Sequence, residues 1–323
     1  MKLLQYWQNR PIRVTIKLLF GLAIGAVLYY QTLGHEHFEA SWGAFAASLN
    51  WHNAPYLILA IILMPLNWTA ETYKWLVLED KVERLSFLQA IQGILVGVTF
   101  SLLTPNRIGE YAGRVLYVQA QNRLKTVVAT VVGSLAQMAV LLIGGVIALV
   151  VFLCLRQQVL GLSVWAIMGV AWLGLIMIAA FLLLYFNVEV IADRLERYPR
   201  LARYNLHFNI LKQCSSAELG KVLLWAGLRY LIYSLQYLLF VYFFSFGTSL
   251  IESLACIGVI FLLQTGLPLP PISGLAVRGG IALAFWGFYA VNPLSILAAT
   301  FGLWLLNVVL PGIVGALLLL TKS

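Results

Sequence analysis

Long apolar segments alternate with short polar segments along the chain. A helix needs roughly 20 consecutive apolar residues to cross the hydrocarbon core of a bilayer, which is about 30 Å thick. The runs are continuous here and lack the alternation of barrel strands, so they predict transmembrane helices. The apolar runs cover residues 14–32, 54–78, 86–103, 126–154, 163–186, 222–246, 251–266, 274–290 and 294–319.

Proline residues interrupt this pattern at two places. The run 86–103 stops before Pro105, and the segment after it, 108–122, carries charged and amide groups that are costly in contact with lipid. The run 251–266 stops before a second proline-rich break at 268–271. We therefore predict an all-α polytopic membrane protein, a single domain over residues 1–323, with about six full transmembrane helices plus two re-entrant broken helical hairpins.

Composition supports the membrane assignment. The 323 residues are 62% hydrophobic and only 10% charged, and the mean hydropathy is +0.90. Soluble domains carry about 25% charged residues, so this chain cannot cover itself with a water-soluble surface. The net charge of +9 lies mainly between the apolar runs rather than in a basic stripe, so we expect no nucleic-acid partner.

The distribution of Lys and Arg predicts the orientation. With a cytoplasmic N-terminus, the basic segments 74–84, 123–125 and 194–221 and the C-terminal Lys322 face the cytoplasm, and only Arg156 faces outward. We therefore expect a multi-pass protein whose N- and C-termini are both cytoplasmic.

The same topology predicts internal symmetry. The two hairpins open to opposite sides, as in an inverted repeat, with halves at about 54–186 and 222–319 and a cytoplasmic loop at about 187–221. The charges of the loops do not distinguish re-entrant hairpins from hairpins whose two arms each cross the membrane. In both cases the chain returns to the side from which it entered.

The breaks are the first candidate sites for chemistry. A helix interrupted inside a membrane presents an N-terminus with partial positive charge, which favours anions. Asn106 and Ser273 are residue types that cap helix N-termini, and they lie near the expected start of each second arm.

Charged residues accompany these breaks. Arg107, Glu110 and Arg114 have the spacing of residues that share one helix face, and Arg278 lies on the opposite hairpin. Two guanidinium groups beside one carboxylate leave a positive site that suits a phosphate. The alternative is an ion network that only holds the hairpin in place.

The remaining charged residues are weaker candidates for a binding site. Glu71 and Lys74 have the spacing of an interfacial ion pair, and Arg229 is placed about two turns into a span, where its side chain can reach the interface. The histidines at positions 35, 37 and 52 match no closed metal site. No nucleotide-binding loop or hydrolase motif is present in the sequence, so we expect no enzymatic activity, no catalytic residue, no metal and no cofactor.

Two segments resemble a known family. Residues 104–114 resemble the P-x-R-x-G-E-x-x-x-R signature of the flippase-like family, also called the lysylphosphatidylglycerol synthase transmembrane region, which includes the membrane half of the multiple peptide resistance factor. Residues 270–280 are similar to its P-x-x-x-G-L-G-V-R-E-G segment, with Ala276 in place of Gly and Gly279 in place of Glu. The aminoacyltransferase domain of the larger relatives is not expected in this chain.

The resemblance implies a function in lipid handling in the bacterial cytoplasmic (inner) membrane. We expect a flippase- or scramblase-like lipid translocase that binds an anionic, phosphate-bearing lipid headgroup at a midplane site between the two hairpins. The alternatives are a secondary transporter of a small anionic solute, or a non-catalytic membrane subunit that presents lipid to a separate enzyme. The expected partners are membrane lipids, with a homo-oligomer or a partner enzyme as further candidates.

Overall fold

The computed structural model describes residues 38–104, 108–196, 210–265 and 271–322. Every regular element in this part of the chain is helical. The predicted first span, 14–32, lies outside the described residues. The α-helices are Phe38–Ser48 (α1), Ala54–Glu79 (α2), Phe87–Leu103 (α3), Gly109–Val115 (α4), Arg123–Leu155 (α5), Gln157–Leu160 (α6), Val164–Phe186 (α7), Val188–Glu196 (α8), Ser216–Phe243 (α9), Leu250–Thr265 (α10), Pro271–Trp286 (α11), Pro293–Trp304 (α12) and Leu310–Lys322 (α13).

Within the described residues, five helical segments are long and apolar enough to cross a bilayer. The first four contain α2, α5, α7 and α9, and the fifth joins α12 to α13 through a π-helical segment, Leu305–Val309. Shorter apolar helices α3, α10 and α11 lie between them. The prediction of an all-α polytopic membrane protein is confirmed.

Side-chain caps fix where several helices begin. Ser86 and Gln89 form a capping box at the start of α3, in which each side chain bonds the other residue's backbone N–H. Ser215 and Glu218 form the same box at the start of α9. The apolar run predicted that this span starts at 222, so α9 begins earlier than predicted.

Glycines bring the two arms of the first hairpin into backbone contact. A Cβ atom on Gly113 of α4 would overlap the backbone of Gly97 of α3, and one on Gly109 would overlap Phe100. The arms are therefore antiparallel and too close for larger residues at these positions. Helix α4 has 7 residues, which gives a length of about 10 Å, so it cannot cross a bilayer alone.

Three local features differ from the prediction made from the sequence. The segment 33–53, which lies between the predicted spans 14–32 and 54–78, contains α1, and a hydrogen bond from Asn292 Nδ2 to Ser41 O holds this helix in place. The predicted helix 108–122 ends at Val115, and Glu83 instead accepts hydrogen bonds from the next segment, including the backbone N–H of Gln119. The second arm of the second hairpin begins at Pro271 rather than near Ser273, because proline suits the first turn of a helix.

The hairpins pack reciprocally. Helix α3, the first arm of the first hairpin, packs against α13, where Thr99 donates a hydrogen bond to Gly312 O at 2.7 Å. Helix α10, the first arm of the second hairpin, packs against α5, with Gly258 facing Ala148. Each hairpin therefore packs on the long helical segment that follows the other hairpin.

Helices α2 and α9 are antiparallel partners along their whole length. Asn53, just before α2, donates to Phe243 O at the end of α9 at 3.0 Å. At the opposite end, Lys81 Nζ lies 2.7 Å from Glu218 Oε1, and this hydrogen bond raises the pKa of Lys81. This pair of helices forms the frame of the candidate site.

Candidate functional site

The carboxylate of Glu71 forms ion pairs with three cations between α2, α4 and α9. Arg114 Nη2 donates to Glu71 Oε1 at 2.7 Å. Arg229 Nη1 donates to Glu71 Oε2 at 2.7 Å, and Lys74 Nζ lies 2.6 Å from the same oxygen. These four residues, Glu71, Lys74, Arg114 and Arg229, are called the Glu71 cluster below.

The cluster lies inside the helix bundle. The side chains of Glu71, Lys74 and Arg114 are at most 5% exposed, whereas that of Arg229 is 18% exposed. Arg229 is placed midway along the 28-residue α9, about 20 Å from its start at Ser216. Ionisable groups at such positions in membrane helices usually serve binding or transport.

Two tryptophans of α2 line the cluster. The guanidinium carbon of Arg114 lies 5.2 Å from the centroid of the Trp75 ring, and that of Arg229 lies 5.2 Å from the centroid of the Trp68 ring. At this distance the ring face attracts a cation, and the attraction is stronger in a desolvated site. The tryptophans hold both guanidinium groups beside α2 without adding negative charge.

A fourth helix reaches the cluster through Gln137 of α5. Lys74 Nζ donates to Gln137 Oε1 at 3.5 Å, and Gln137 Nε2 donates to Ala226 O of α9 at 3.5 Å. The amide therefore bridges the lysine to the α9 backbone. Four helices converge on the cluster, so a shift of any one of them changes its geometry.

The cluster has more positive charge and more donors than its own acceptor can satisfy. Three cations face one carboxylate, which leaves a formal surplus of two positive charges. Arg114 Nε and Trp68 Nε1 are buried and have no hydrogen-bond partner among the described residues. Uncompensated charge in a low-dielectric interior is unfavourable, so the arrangement is suited to an anionic group with several acceptor oxygens.

Comparison with known families decides the relationship. Residues 16–315 match the family described as the lysylphosphatidylglycerol synthase TM region. The chain belongs to this family. No curated protein and no solved structure matches the chain.

In this member of the lysylphosphatidylglycerol synthase TM region family, the predicted site residues that the structure describes lie on α4 and α11. Arg114 belongs to the Glu71 cluster, and its ion pair is with Glu71 of α2. Glu110 is half-buried on α4, and its backbone faces Gly97. Arg278 is half-buried on α11. The backbone of Ser273 lies in the first turn of α11, while Asn106 and Arg107 lie outside the described residues.

Three residues of the Glu71 cluster were not predicted as site residues. Glu71 and Lys74 were interpreted as an interfacial pair, and Arg229 as a side chain that reaches the interface. A signal was present for Arg229: the Ser-x-x-Glu capping box at 215–218 moves the start of α9 back and places Arg229 at mid-helix. The sequence does not predict the contact between Glu71 and Arg114, because these residues lie on two different helices, α2 and α4.

Proposed function

We propose that this protein is a lipid translocase, flippase- or scramblase-like, that binds the anionic, phosphate-bearing headgroup of a membrane lipid at the Glu71 cluster. Membership of the lysylphosphatidylglycerol synthase TM region family supports a function linked to membrane lipids. The observation that carries the proposal is the surplus of two positive charges on Lys74, Arg114 and Arg229 around Glu71. No covalent step by this chain is part of the proposal.

The chemistry of the cluster suits a phosphate. Guanidinium groups bind phosphate oxygens in a fork geometry, and such charge-assisted hydrogen bonds are stronger than neutral ones. Glu71 acts as an internal counter-ion that holds Arg114 and Arg229 in place between substrates. A headgroup phosphate enters past Arg229, the most exposed member, and takes over contacts of the carboxylate. The acyl tails stay in the surrounding lipid.

The proposed transport cycle uses an inverted repeat with two re-entrant hairpins. Reciprocal packing of α3 on α13 and of α10 on α5 supports it, because a two-fold axis in the membrane plane exchanges these pairs. The first arms also start alike. Ser249 and Glu252 exchange the same pair of hydrogen bonds at the start of α10 as Ser86 and Gln89 do at the start of α3. In this arrangement the two halves rock about the α2–α9 pair and expose the cluster to each leaflet in turn.

Lipid flipping tests the proposal directly. Purified protein is reconstituted into liposomes with fluorescent phosphatidylglycerol, and a membrane-impermeant quencher reports the exposed fraction. Wild type is expected to flip the lipid, Arg114→Gln to lose most of the rate, and Arg123→Gln to retain it, because Arg123 is exposed at the start of α5. Equal rates for wild type and Arg114→Gln would reject the site.

The same experiment separates the alternatives. Uptake of soluble phosphate or phosphate esters without lipid flipping would identify a solute transporter. Retention of phosphatidylglycerol by the purified protein without flipping, detected by mass spectrometry, would favour a subunit that presents lipid to a separate enzyme. Either result would overturn the proposal of lipid translocation but would leave the proposed anion-binding site in place.

A further inference from the structure

A second buried carboxyl group lies on α2, about two helical turns after Glu71. Glu79, the last residue of α2, is fully buried. Its Oε1 accepts a hydrogen bond from Thr126 Oγ1 of α5 at 2.6 Å, and its Oε2 has no hydrogen-bond partner among the described residues. No ion pair joins Glu79 to a cation in that part of the chain. Burial without a paired cation favours the neutral, protonated form of a carboxyl group.

Glu79 shares a helix face with the cluster. Glu71, Trp75 and Glu79 follow one another at intervals of four residues, so they lie on successive turns of one face of α2. The Arg114 guanidinium lies over the ring of Trp75, the residue that separates the two glutamates on this face. Arg114 donates a hydrogen bond to Glu71, while its Nε has no hydrogen-bond partner among the described residues. The charge of Arg114 therefore acts on both carboxyl groups.

The charged groups that act on Glu79 are few. The charge of Arg114 on α4 favours its ionised form, and that of Glu83, in the turn after α2, opposes it. Thr126 on α5 contributes a neutral donor. Among the described residues, Arg114 is thus the cation whose charge acts on Glu79.

We infer that Glu79 is a proton-binding site that controls the anion site by competing with Glu71 for Arg114. When Glu79 carries a proton, Arg114 stays with the Glu71 cluster, which can then bind an anionic headgroup. When Glu79 releases the proton, its carboxylate draws Arg114 away and the cluster loses a cation. Anion binding and proton binding therefore favour each other, and linkage makes this coupling reciprocal. The inference rests on the proposed anion site and adds proton coupling to it.

The test measures phosphatidylglycerol binding by the full-length protein in detergent between about pH 5 and pH 9. The probe is a phosphodiester, so its own charge is constant over this range. Wild-type affinity is expected to fall as pH rises, approaching tenfold per pH unit above the transition for a single linked proton. Glu79→Gln, which keeps the side chain neutral, should bind at all pH values as wild type does at its acidic limit.

Two further variants keep the inference falsifiable. Asp80→Asn removes an exposed carboxyl one residue away and should retain the wild-type pH dependence. Thr126→Val removes the donor that stabilises the Glu79 carboxylate and should move the transition to higher pH, which can be measured even if Glu79→Gln fails to fold. Wild-type pH dependence in Glu79→Gln, an unshifted transition in Thr126→Val, or a flat wild-type profile would overturn the inference.

The result also separates this inference from the proposed function. If wild type binds phosphatidylglycerol without pH dependence and Arg114→Gln does not bind, the anion site stands and proton coupling fails. If Arg114→Gln binds as wild type does, the anion site itself fails.

Discussion

Glu71 and Arg229 are 158 positions apart in the chain, yet their side chains meet with Glu71 Oε2 2.7 Å from Arg229 Nη1. The antiparallel register of α2 and α9 produces this contact. Along α2 the residue numbers rise while those of their α9 partners fall, and the pairs are Asn53–Ser245, Ala60–Gln236, Glu71–Arg229 and Lys81–Glu218. The ion pair is therefore a consequence of how two long helices pair, and it places a cation at the centre of the bundle.

The first prediction concerns the entrance of the site. Arg229→Gln removes the most exposed cation of the cluster and should weaken phosphatidylglycerol binding about 10- to 100-fold, since a charge-assisted hydrogen bond contributes about 1.5–3 kcal/mol. Arg84→Gln, at an exposed position outside the spans, is the matched control and should bind normally. Binding is measured by lipid titration in detergent. Undiminished affinity in Arg229→Gln would remove this residue from the headgroup site.

The second prediction concerns the internal counter-ion. Glu71→Gln preserves shape but leaves Lys74, Arg114 and Arg229 without a carboxylate, and breaking a buried ion pair in this way costs about 3–5 kcal/mol. The variant should melt earlier than wild type, and added phosphatidylglycerol should raise its melting temperature more than it raises that of wild type. Thermal unfolding with and without lipid checks both effects. An equal lipid-induced shift in the two proteins would contradict the counter-ion role.

The third prediction concerns the first hairpin. Gly113→Ala places a methyl group against the backbone of Gly97, so the arms must separate and the yield of folded protein should drop sharply. Gly169→Ala on α7, where an added Cβ meets nothing within 4 Å, should have no such effect and even removes a glycine from a helix interior. Size-exclusion profiles after extraction provide the comparison. A folded, monodisperse Gly113→Ala protein would show that the hairpin does not require this close approach.

The fourth prediction concerns orientation. We expect the N- and C-termini and the turn after α2, which carries Lys81, on the cytoplasmic side. A cysteine introduced at Lys81, in a background without the three native cysteines, should react with an impermeant thiol reagent in inverted vesicles and not in intact cells. A cysteine at His52, at the other end of α2, should show the opposite pattern. Labelling of both positions from the same side would refute the topology.

The sequence itself determined the membrane architecture. Continuous apolar runs permit only helices in lipid, because every backbone group must find its partner within the helix. The bounds of α2, α5 and α7 therefore follow the runs to within a few residues. The sequence also predicted Arg114 as a site residue, because it lies with Glu110 in the polar segment that follows the break at Pro105.

Only the tertiary structure decided which charges meet. The predicted site combined Arg107, Glu110 and Arg114, whose spacing lets them share a helix face, with break and hairpin residues such as Arg278. The spacing rule does not predict contacts between helices. The carboxylate that binds Arg114 belongs to α2, and the second guanidinium group belongs to α9. Their meeting depends on helix register and on the close approach of α3 and α4 at Gly97 and Gly113. Local periodicity carries no information about either, because both arise from packing between segments far apart in the chain.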